Sequence, residues 1–214
     1  MITVYSIPGS PYGRAALIAC IEKNAPYRLA PVAPGGHKQP GYLARHPFGR
    51  VPCLEDDGFW LYETQAIIRY VDAAYPGPSL TPSDPKAKAL MDIAIGVIDC
   101  YFFADNSAKT LGFNRIVAPK LGFPVNEDAA QAAIPGTRHV LGVLGAMVKD
   151  RPYIAGEAFT LADIHAGTQV DLLSTAPEPA EMIAGSPLEP WLQRLRARPS
   201  FAATTWEQVA AMAA

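Results

Sequence analysis

Apolar residues in the first third of the chain fall in short runs rich in β-branched and aromatic side chains, and after about residue 84 they recur at helical spacing. Ile2-Thr3-Val4-Tyr5-Ser6 predicts a strand, closed by Pro8-Gly9. Ser10-Pro11 then opens a helix, with Ser10 as N-cap and Pro11 at the first helical position. Ala16, Leu17, Cys20 and Ile21 form its apolar stripe, and Asn24-Ala25-Pro26 stops it. Tyr27 to Leu29 predicts a second strand. Residues 33–42 carry Pro34, Gly35, Gly36, Pro40 and Gly41 and predict a loop. Val51 to Glu55 and Phe59 to Tyr62 flank Asp56-Asp57-Gly58, a strong hairpin signal. A helix from Thr64 to Tyr75 follows, with Ala66, Ile67, Tyr70, Val71 and Ala74 on one face. The order is β-α-β, loop, β-β-α.

Pro76-Gly77-Pro78-Ser79 marks the best boundary. This gives a first domain over 1–76, a linker over 77–83 and a second domain over 84–214. The second domain shows helical patterns only. One helix is expected from Asp84 to Leu111. Another is expected from Glu127 to Asp150, kinked or split at Pro135-Gly136. A third opens at Thr160, with Asp163 at N3 and Phe159 and Ile164 at the staple positions. A fourth covers Pro187 to Arg196. The fold class is α/β plus all-α.

Composition narrows the function. The 214 residues are 50% hydrophobic and 18% charged, which excludes a disordered chain. A chain of this size buries roughly 70% of its unfolded surface, so its core needs neither disulfide nor metal. The net charge of −2 and the lack of any basic run give no nucleic-acid footprint. No apolar stretch is long enough for a membrane span. The N-terminus lacks the features of a signal peptide, so a cytoplasmic protein is expected. Cys20, Cys53 and Cys100 are odd in number and widely spaced, which predicts small buried apolar residues. His37, His46, His139 and His165 show no metal-ligand spacing, and no phosphate-binding glycine motif is present.

One constellation remains. It comprises Ser10-Pro11 at a helix start, His37-Lys38 in the glycine-rich loop, His46-Pro47-Phe48-Gly49-Arg50-Val51-Pro52 before the hairpin, and Glu63-Thr64 at the next helix start. Together these resemble a cytosolic glutathione transferase. The stretch from His37 to Pro52 with Leu61 to Ile67 is most similar to the phi class. Pro152 to Asp163 also resembles the family's helix-capping motif in the second domain. The resemblance covers most of the chain and implies a thioredoxin-like domain followed by a helical domain.

The resemblance implies a role for each of these residues. Ser10 would donate its hydroxyl to the sulfur of glutathione and is the expected catalytic residue. Pro52 is expected to be cis, turning the main chain of Val51 towards the cysteinyl backbone of glutathione. Thr64 stands where the family usually has Ser; with its N–H it would hold the γ-glutamyl carboxylate, while Glu63 sets the backbone and charge there. His37 and Lys38 are expected at the glycyl carboxylate. Arg50 departs from the usual Gln, and its charge either adds to that carboxylate site or points into solvent. Tyr5 is a rival hydroxyl, since other classes use a tyrosine near the end of the first strand, yet its strand pattern predicts a packed residue. An electrophile site between the domains is expected from Tyr12, Phe102 and Phe113.

Physical chemistry agrees with this role for Ser10. A free thiol with a pKa of about 8.5 is only about 3% thiolate at pH 7. The expected reaction adds the glutathione thiolate to small electrophiles, with glutathione as co-substrate and no cofactor or metal. Peroxidase or isomerase work on the same scaffold is the alternative, as is a non-catalytic binding module. Serine rather than cysteine at position 10 argues against disulfide exchange. A homodimer is expected, anchored by Phe48 in its Pro-Phe-Gly turn.

Overall fold

The computed structural model describes residues 1–33 and 35–213. They form two units, Met1–Thr81 joined by Arg196–Ala214, and Pro82–Leu195. The first unit is built on a four-stranded sheet of β1 (Ile2–Ser6), β2 (Tyr27–Pro31), β3 (Cys53–Asp56) and β4 (Phe59–Tyr62), in the order β2-β1-β3-β4. β1 runs parallel to β2 and antiparallel to β3, which pairs antiparallel with β4. The β3–β4 turn has Asp57 and Gly58 both at positive φ, 47° and 88°, as the right-handed twist of a tight hairpin demands.

Helix α1 (Pro11–Glu22) crosses from β1 to β2, a short α2 (Pro40–Leu43) interrupts the expected loop, and α3 (Thr64–Ala74) follows β4. Ala15 to Cys20 are all fully buried, so α1 is covered well beyond one stripe. Beside β1 it packs against α3 and a C-terminal helix described below. Burial pushes the Cys20 thiol up to about 12, and Cys53 is raised for the same reason. Both behave as the small apolar residues expected. Cys100 does not: it is exposed.

In the second unit, Asp84 caps α4 (Pro85–Val97) by accepting from the Ala87 N–H at 2.8 Å. The single helix expected to Leu111 is broken. A π-turn at Ile98–Phe102 ends the first part, and α5 (Ala108–Gly112), a second π-turn (Phe113–Val117) and α6 (Ala118–Leu121) follow. The break lies where the Ser107 hydroxyl meets the carbonyls of Tyr101, Phe102 and Ala104 at 2.9, 2.8 and 2.7 Å. These are carbonyls that a continuing helix would bond itself.

Helix α7 runs unbroken over Glu127–Val148, so Pro135-Gly136 does not split it. A Cβ at Gly136 would lie 2.2 Å from the Asn106 carbonyl oxygen, so the glycine serves the close approach of that loop. Helix α8 (Leu161–Leu173) is buried on every side from Leu161 to Val170, a core helix without a polar face. Its capping box is present as expected, and the buried Asp163 carboxylate takes four donors. These are the N–H groups of Ile154 and Thr160, the Thr160 hydroxyl and the Trp191 indole, all within 3.0 Å. Helices α9 (Pro177–Ile183) and α10 (Leu188–Arg196) complete this unit.

The chain then returns to the first unit through α11 (Pro199–Ala202) and α12 (Trp206–Met212), which corrects the expected helical domain of 84–214. The cause is chemical: Arg198 forks onto Glu22 of α1 at 3.0 and 2.7 Å, and Phe201 is buried. The expected linker is also drawn in, since the first unit runs on to Thr81. Lys23, nearly buried, pairs with Asp72 at 3.1 Å and donates to the Gly77 and Pro78 carbonyls at 3.3 and 3.0 Å. Asp72 in turn accepts from the Leu80 N–H and the Thr81 hydroxyl at 2.9 and 2.7 Å.

Burial alone raises the Asp72 carboxyl, but Leu80, Thr81 and Lys23 together hold it below its ordinary value. Its stabilising effect is therefore complete above the unfolded carboxyl pKa of about 3.9 and fades as pH falls through the lower folded value. Asp72→Asn leaves Lys23 buried without a counter-charge and should cost about 3–5 kcal/mol at pH 7 in urea unfolding. That gap should begin to shrink below about pH 4, and close only once the pH has fallen below the depressed folded value, where wild-type Asp72 is itself neutral. A gap that stays constant with pH would contradict the ion pair.

Candidate functional site

The strand register brings four chain segments to one end of the sheet. Ser6, at the C-terminal end of β1, lies beside Pro31 at the C-terminal end of β2, and Tyr5 lies opposite Cys53 at the start of β3. Cys53 in turn lies opposite Tyr62, the last residue of β4. Across this end, from β2 to β4, the chain presents the His37-Lys38 loop, Ser10, Val51-Pro52 and Glu63-Thr64. Strands are spaced about 4.8 Å apart, so this row spans roughly 14 Å.

Ser10 caps α1 as expected. Its Oγ accepts from the Gly13 N–H at 3.2 Å, which leaves the hydroxyl proton free to be donated outward. Gly13 has no substitute there, because a Cβ would lie 1.8 Å from the Ser6 hydroxyl. Tyr5 is packed instead: its ring lies 5.3 Å from Trp60, with the Arg45 guanidinium over both.

The Val51-Pro52 bond is cis. Among the described residues nothing pairs with the main chain of Val51, so its N–H and C=O remain available. The approach to it is fixed by Tyr42, whose hydroxyl donates to the Arg50 carbonyl at 2.8 Å, and by the packing of Val32, Tyr42 and Cys53 with Tyr5, Ile7 and Val51.

Glu63 holds φ 68° and ψ 116°, a conformation unfavourable for a residue with a side chain. It turns the chain abruptly into α3, so that the first N–H groups of that helix face the sheet end with no acidic residue in the first turn to occupy them. Thr64 is buried, and neither its hydroxyl nor its N–H has a partner among the described residues.

On the β2 side, His37 and Lys38 lie in a 3₁₀ turn, Gly36–Lys38. The Lys38 ammonium donates to the Gly49 carbonyl at 2.8 Å, which leaves two further protons for a ligand. Burial lowers the His37 pKa, with Lys38 adding to the effect. Its Nδ1 is buried without a partner among the described residues, which favours a neutral ring protonated on Nε2. His46 is buried too and shifted down, chiefly by burial; Arg50 and Lys38 push the same way and Glu63 opposes them. Both rings are therefore neutral near pH 7, and the positive charge here is that of Lys38 and Arg50, whose side chains are exposed.

Of the residues expected at an electrophile site, Tyr12 is half-buried in the first turn of α1. Phe113 is 43% exposed and stacks on Phe123 at 6.4 Å. Phe102 is a correction: at 3% exposure it belongs to the core of the second unit. Its position in the π-turn, beside the Ser107 hydroxyl, carried no sequence signal. Gly49 and Tyr42 also support the site without having been singled out. Gly49 holds φ 55°, and in His46-Pro47-Phe48-Gly49 only the glycine takes that conformation without strain.

Comparison with known proteins shows what the chain is similar to. The family model for the glutathione S-transferase N-terminal domain matches residues 4–79, and that for the C-terminal domain matches residues 98–199. Glutathione S-transferase 3 of Zea mays is 31% identical over 208 residues, covering 95% of this chain and 92% of that one. The crystal structure of glutathione transferase F2 from Populus trichocarpa superposes with a TM-score of 0.87 at 25% identity, over 98% of this chain and all of that one. Glutathione S-transferase I from mais, in complex with an atrazine glutathione conjugate, gives a TM-score of 0.81 at 26% identity over 99% and 97% of the two chains.

A Cβ at Gly49 would lie 2.7 Å from the His37 carbonyl oxygen and 2.9 Å from the Leu43 side chain. Gly49→Ala should therefore loosen the 36–50 loop. Amide hydrogen exchange at Lys38 and Arg50 should speed up by about tenfold or more, while Val4 and Leu54 in the sheet keep their rates. Unchanged exchange in the loop would contradict the close packing.

Proposed function

Given that the chain belongs to the glutathione S-transferase family and is most similar to its phi class, we propose that glutathione lies along the sheet end and that Ser10 turns its thiol into a nucleophile. The reaction is transfer of the glutathione thiolate to an electrophile. The observation that carries the reading is the order of chemical groups along the row: cation, hydroxyl, open main chain, helix N-terminus. Glutathione offers the matching order of glycyl carboxylate, cysteinyl thiol and main chain, and γ-glutamyl carboxylate. Three extended residues reach about 10 Å, in keeping with a row of about 14 Å bridged by side chains at its ends.

Each contact has a physical reason. Lys38 and Arg50 meet the glycyl carboxylate by charge, and neutral His37 donates a hydrogen bond from Nε2. Val51 pairs with the cysteinyl main chain as one residue of added strand. The Thr64 hydroxyl and the free N–H groups of α3 take the γ-glutamyl carboxylate, where the helix dipole favours an anion. Glu63 provides the turn that aims those groups.

Lowering the thiol pKa by two units needs about 2.7 kcal/mol of preference for the thiolate. A hydroxyl donating to charged sulfur supplies about 1.5–3 kcal/mol, and the N-terminus of α1 adds about 0.3–1. The thiol proton leaves to solvent, the sulfur forms its bond to the electrophilic carbon, and the displaced group departs or the adduct takes up a proton. Ser10 keeps its own proton throughout. The electrophile in this reading is a small hydrophobic molecule, and the mais neighbour holds a glutathione conjugate of atrazine. The family's cytoplasmic, detoxifying role forms part of the proposal. Ser10→Ala should bind glutathione nearly as well as wild type but conjugate it about 10²-fold more slowly, the effect of losing about 2.7 kcal/mol. Steady-state kinetics with an activated aryl halide reads this directly, and an unchanged kcat would transfer the role to Tyr12.

The proposal includes a homodimer. Phe48 is 66% exposed, with its ring edge-on to His46 at 6.3 Å and to Tyr62 at 6.4 Å, so it does not enter its own core. An aromatic held rigidly in the open suits insertion into the helical unit of a second copy, and two-fold symmetry uses it twice. Wild type should sediment at about twice 22.9 kDa. Phe48→Ala, at about 2 kcal/mol or more per site, should shift towards monomer on dilution. A wild type that sediments as monomer at micromolar concentration would refute the dimer.

A further inference from the structure

The return of the chain to the first unit lays a strap along α1. It starts at the C-terminal end of the helix, where Arg198 and Ser200 both bind the Glu22 carboxylate. Two turns nearer the N-terminus, Arg14 is gripped: Nη2 donates to the Phe201 carbonyl at 3.0 Å, Nε donates to the Thr204 hydroxyl at 3.3 Å, and the guanidinium lies 5.1 Å from the centre of the Phe201 ring. The Thr204 hydroxyl sends its own proton to the Ser200 carbonyl at 2.8 Å, so its lone pair faces Arg14. The strap ends against the residue before the catalytic serine. The Trp206 indole lies so close to Gly9 that a Cβ there would be 2.5 Å from the ring.

We infer that Trp206 and Arg14 are positioning residues for Ser10. Neither touches sulfur. Trp206 fixes Gly9, the residue before the N-cap, and Arg14 lies one helical turn after it, so the N-terminus of α1 is held on both sides. The constraint matters because the Ser10 hydroxyl acts through one hydrogen bond. A displacement of about 1 Å at such a bond costs as much as about 10²-fold in rate. Ser10, at the helix edge, is fixed locally by bonds from its N–H to the Ile7 carbonyl, from the Gly13 N–H to its Oγ and from the Arg14 N–H to its carbonyl, whereas Gly9, at φ 84°, has no hydrogen bond of its own among the described residues. The wall supplied by Trp206 is what the local sequence lacks.

This inference rests on Ser10 as the thiolate donor, and the test separates the two. The pKa of enzyme-bound glutathione is titrated through its thiolate absorbance, together with kcat and KM. Trp206→Ala should raise the bound thiol pKa by about half to one unit and lower kcat about three- to tenfold, with KM for glutathione changed less than about twofold. Arg14→Lys keeps the charge but loses the fork, and should shift the pKa in the same direction. Val209→Ala removes a buried side chain from the same strap and leaves the Trp206 indole and the Arg14 side chain in place. It should lower the melting temperature and leave the thiol pKa in place. In a Ser10→Ala background Trp206→Ala should produce no further shift. A thiol pKa that ignores Trp206→Ala while Ser10→Ala raises it overturns the positioning role alone. So does a Val209→Ala shift as large as that of Trp206→Ala. A thiol pKa that ignores Ser10→Ala overturns both readings.

Discussion

The rest of the molecule depends on the mixed pairing of β1, parallel to β2 on one side and antiparallel to β3 on the other. A parallel neighbour requires a crossover helix, and that helix starts where β1 ends. An antiparallel neighbour brings the entry to β3 and the exit of β4 to the same end. One topological choice thus sets a helix N-terminus, a loop, an incoming main chain and a second helix N-terminus side by side. The groups proposed to meet glutathione there are ones left unpaired among the described residues: the Ser10 hydroxyl proton, the main chain of Val51, and the N–H and hydroxyl of Thr64.

Such a row of open groups is unfavourable by itself, and the structure offsets it nearby. Glu63 sits in a conformation that costs on the order of 1–3 kcal/mol. Lys38 is tied to Gly49, and Tyr42 anchors the carbonyl before Val51. Farther out, buried charges are each surrounded by donors or partners. Lys23 and Asp72 hold the 77–81 segment against α1 and α3, and Glu22 holds the returning chain. In the second unit, Asp163 joins the start of α8 to Trp191 and Ile154. Removing one partner from any of these leaves a buried charge or donor stranded, so they act as fasteners more than as sources of net stability.

Much of this was legible in the sequence. The β-α-β-β-α order, the hairpin at Asp57-Gly58, the Ser10 cap and the Thr160–Asp163 box are written in local turn and capping chemistry, which acts over a few residues. The joint spacing of Ser10, Lys38, Val51-Pro52 and Glu63-Thr64 carried the family. What escaped was set by contacts distant in sequence. The break after Phe102 follows from Ser107 reaching back to three carbonyls, and α7 stays whole because Gly136 admits another loop. The return of residues after 196 depends on Glu22, more than 170 positions away. Phe102 and Phe113 look alike in a helical pattern, and only packing separates a core ring from an open one. Arg14 and Trp206 showed no signal because a cation in a helix and an aromatic near a terminus are both ordinary.

The most direct test of the account is a crystal structure of the protein with glutathione bound. The sulfur should lie within hydrogen-bond distance of the Ser10 Oγ, the γ-glutamyl carboxylate on Thr64 and the N-terminus of α3, the cysteinyl main chain paired with Val51, and the glycyl carboxylate beside Lys38. Glutathione bound in the reverse direction along the sheet end, or with its sulfur turned from Ser10 towards Tyr5 or Tyr12, would contradict it.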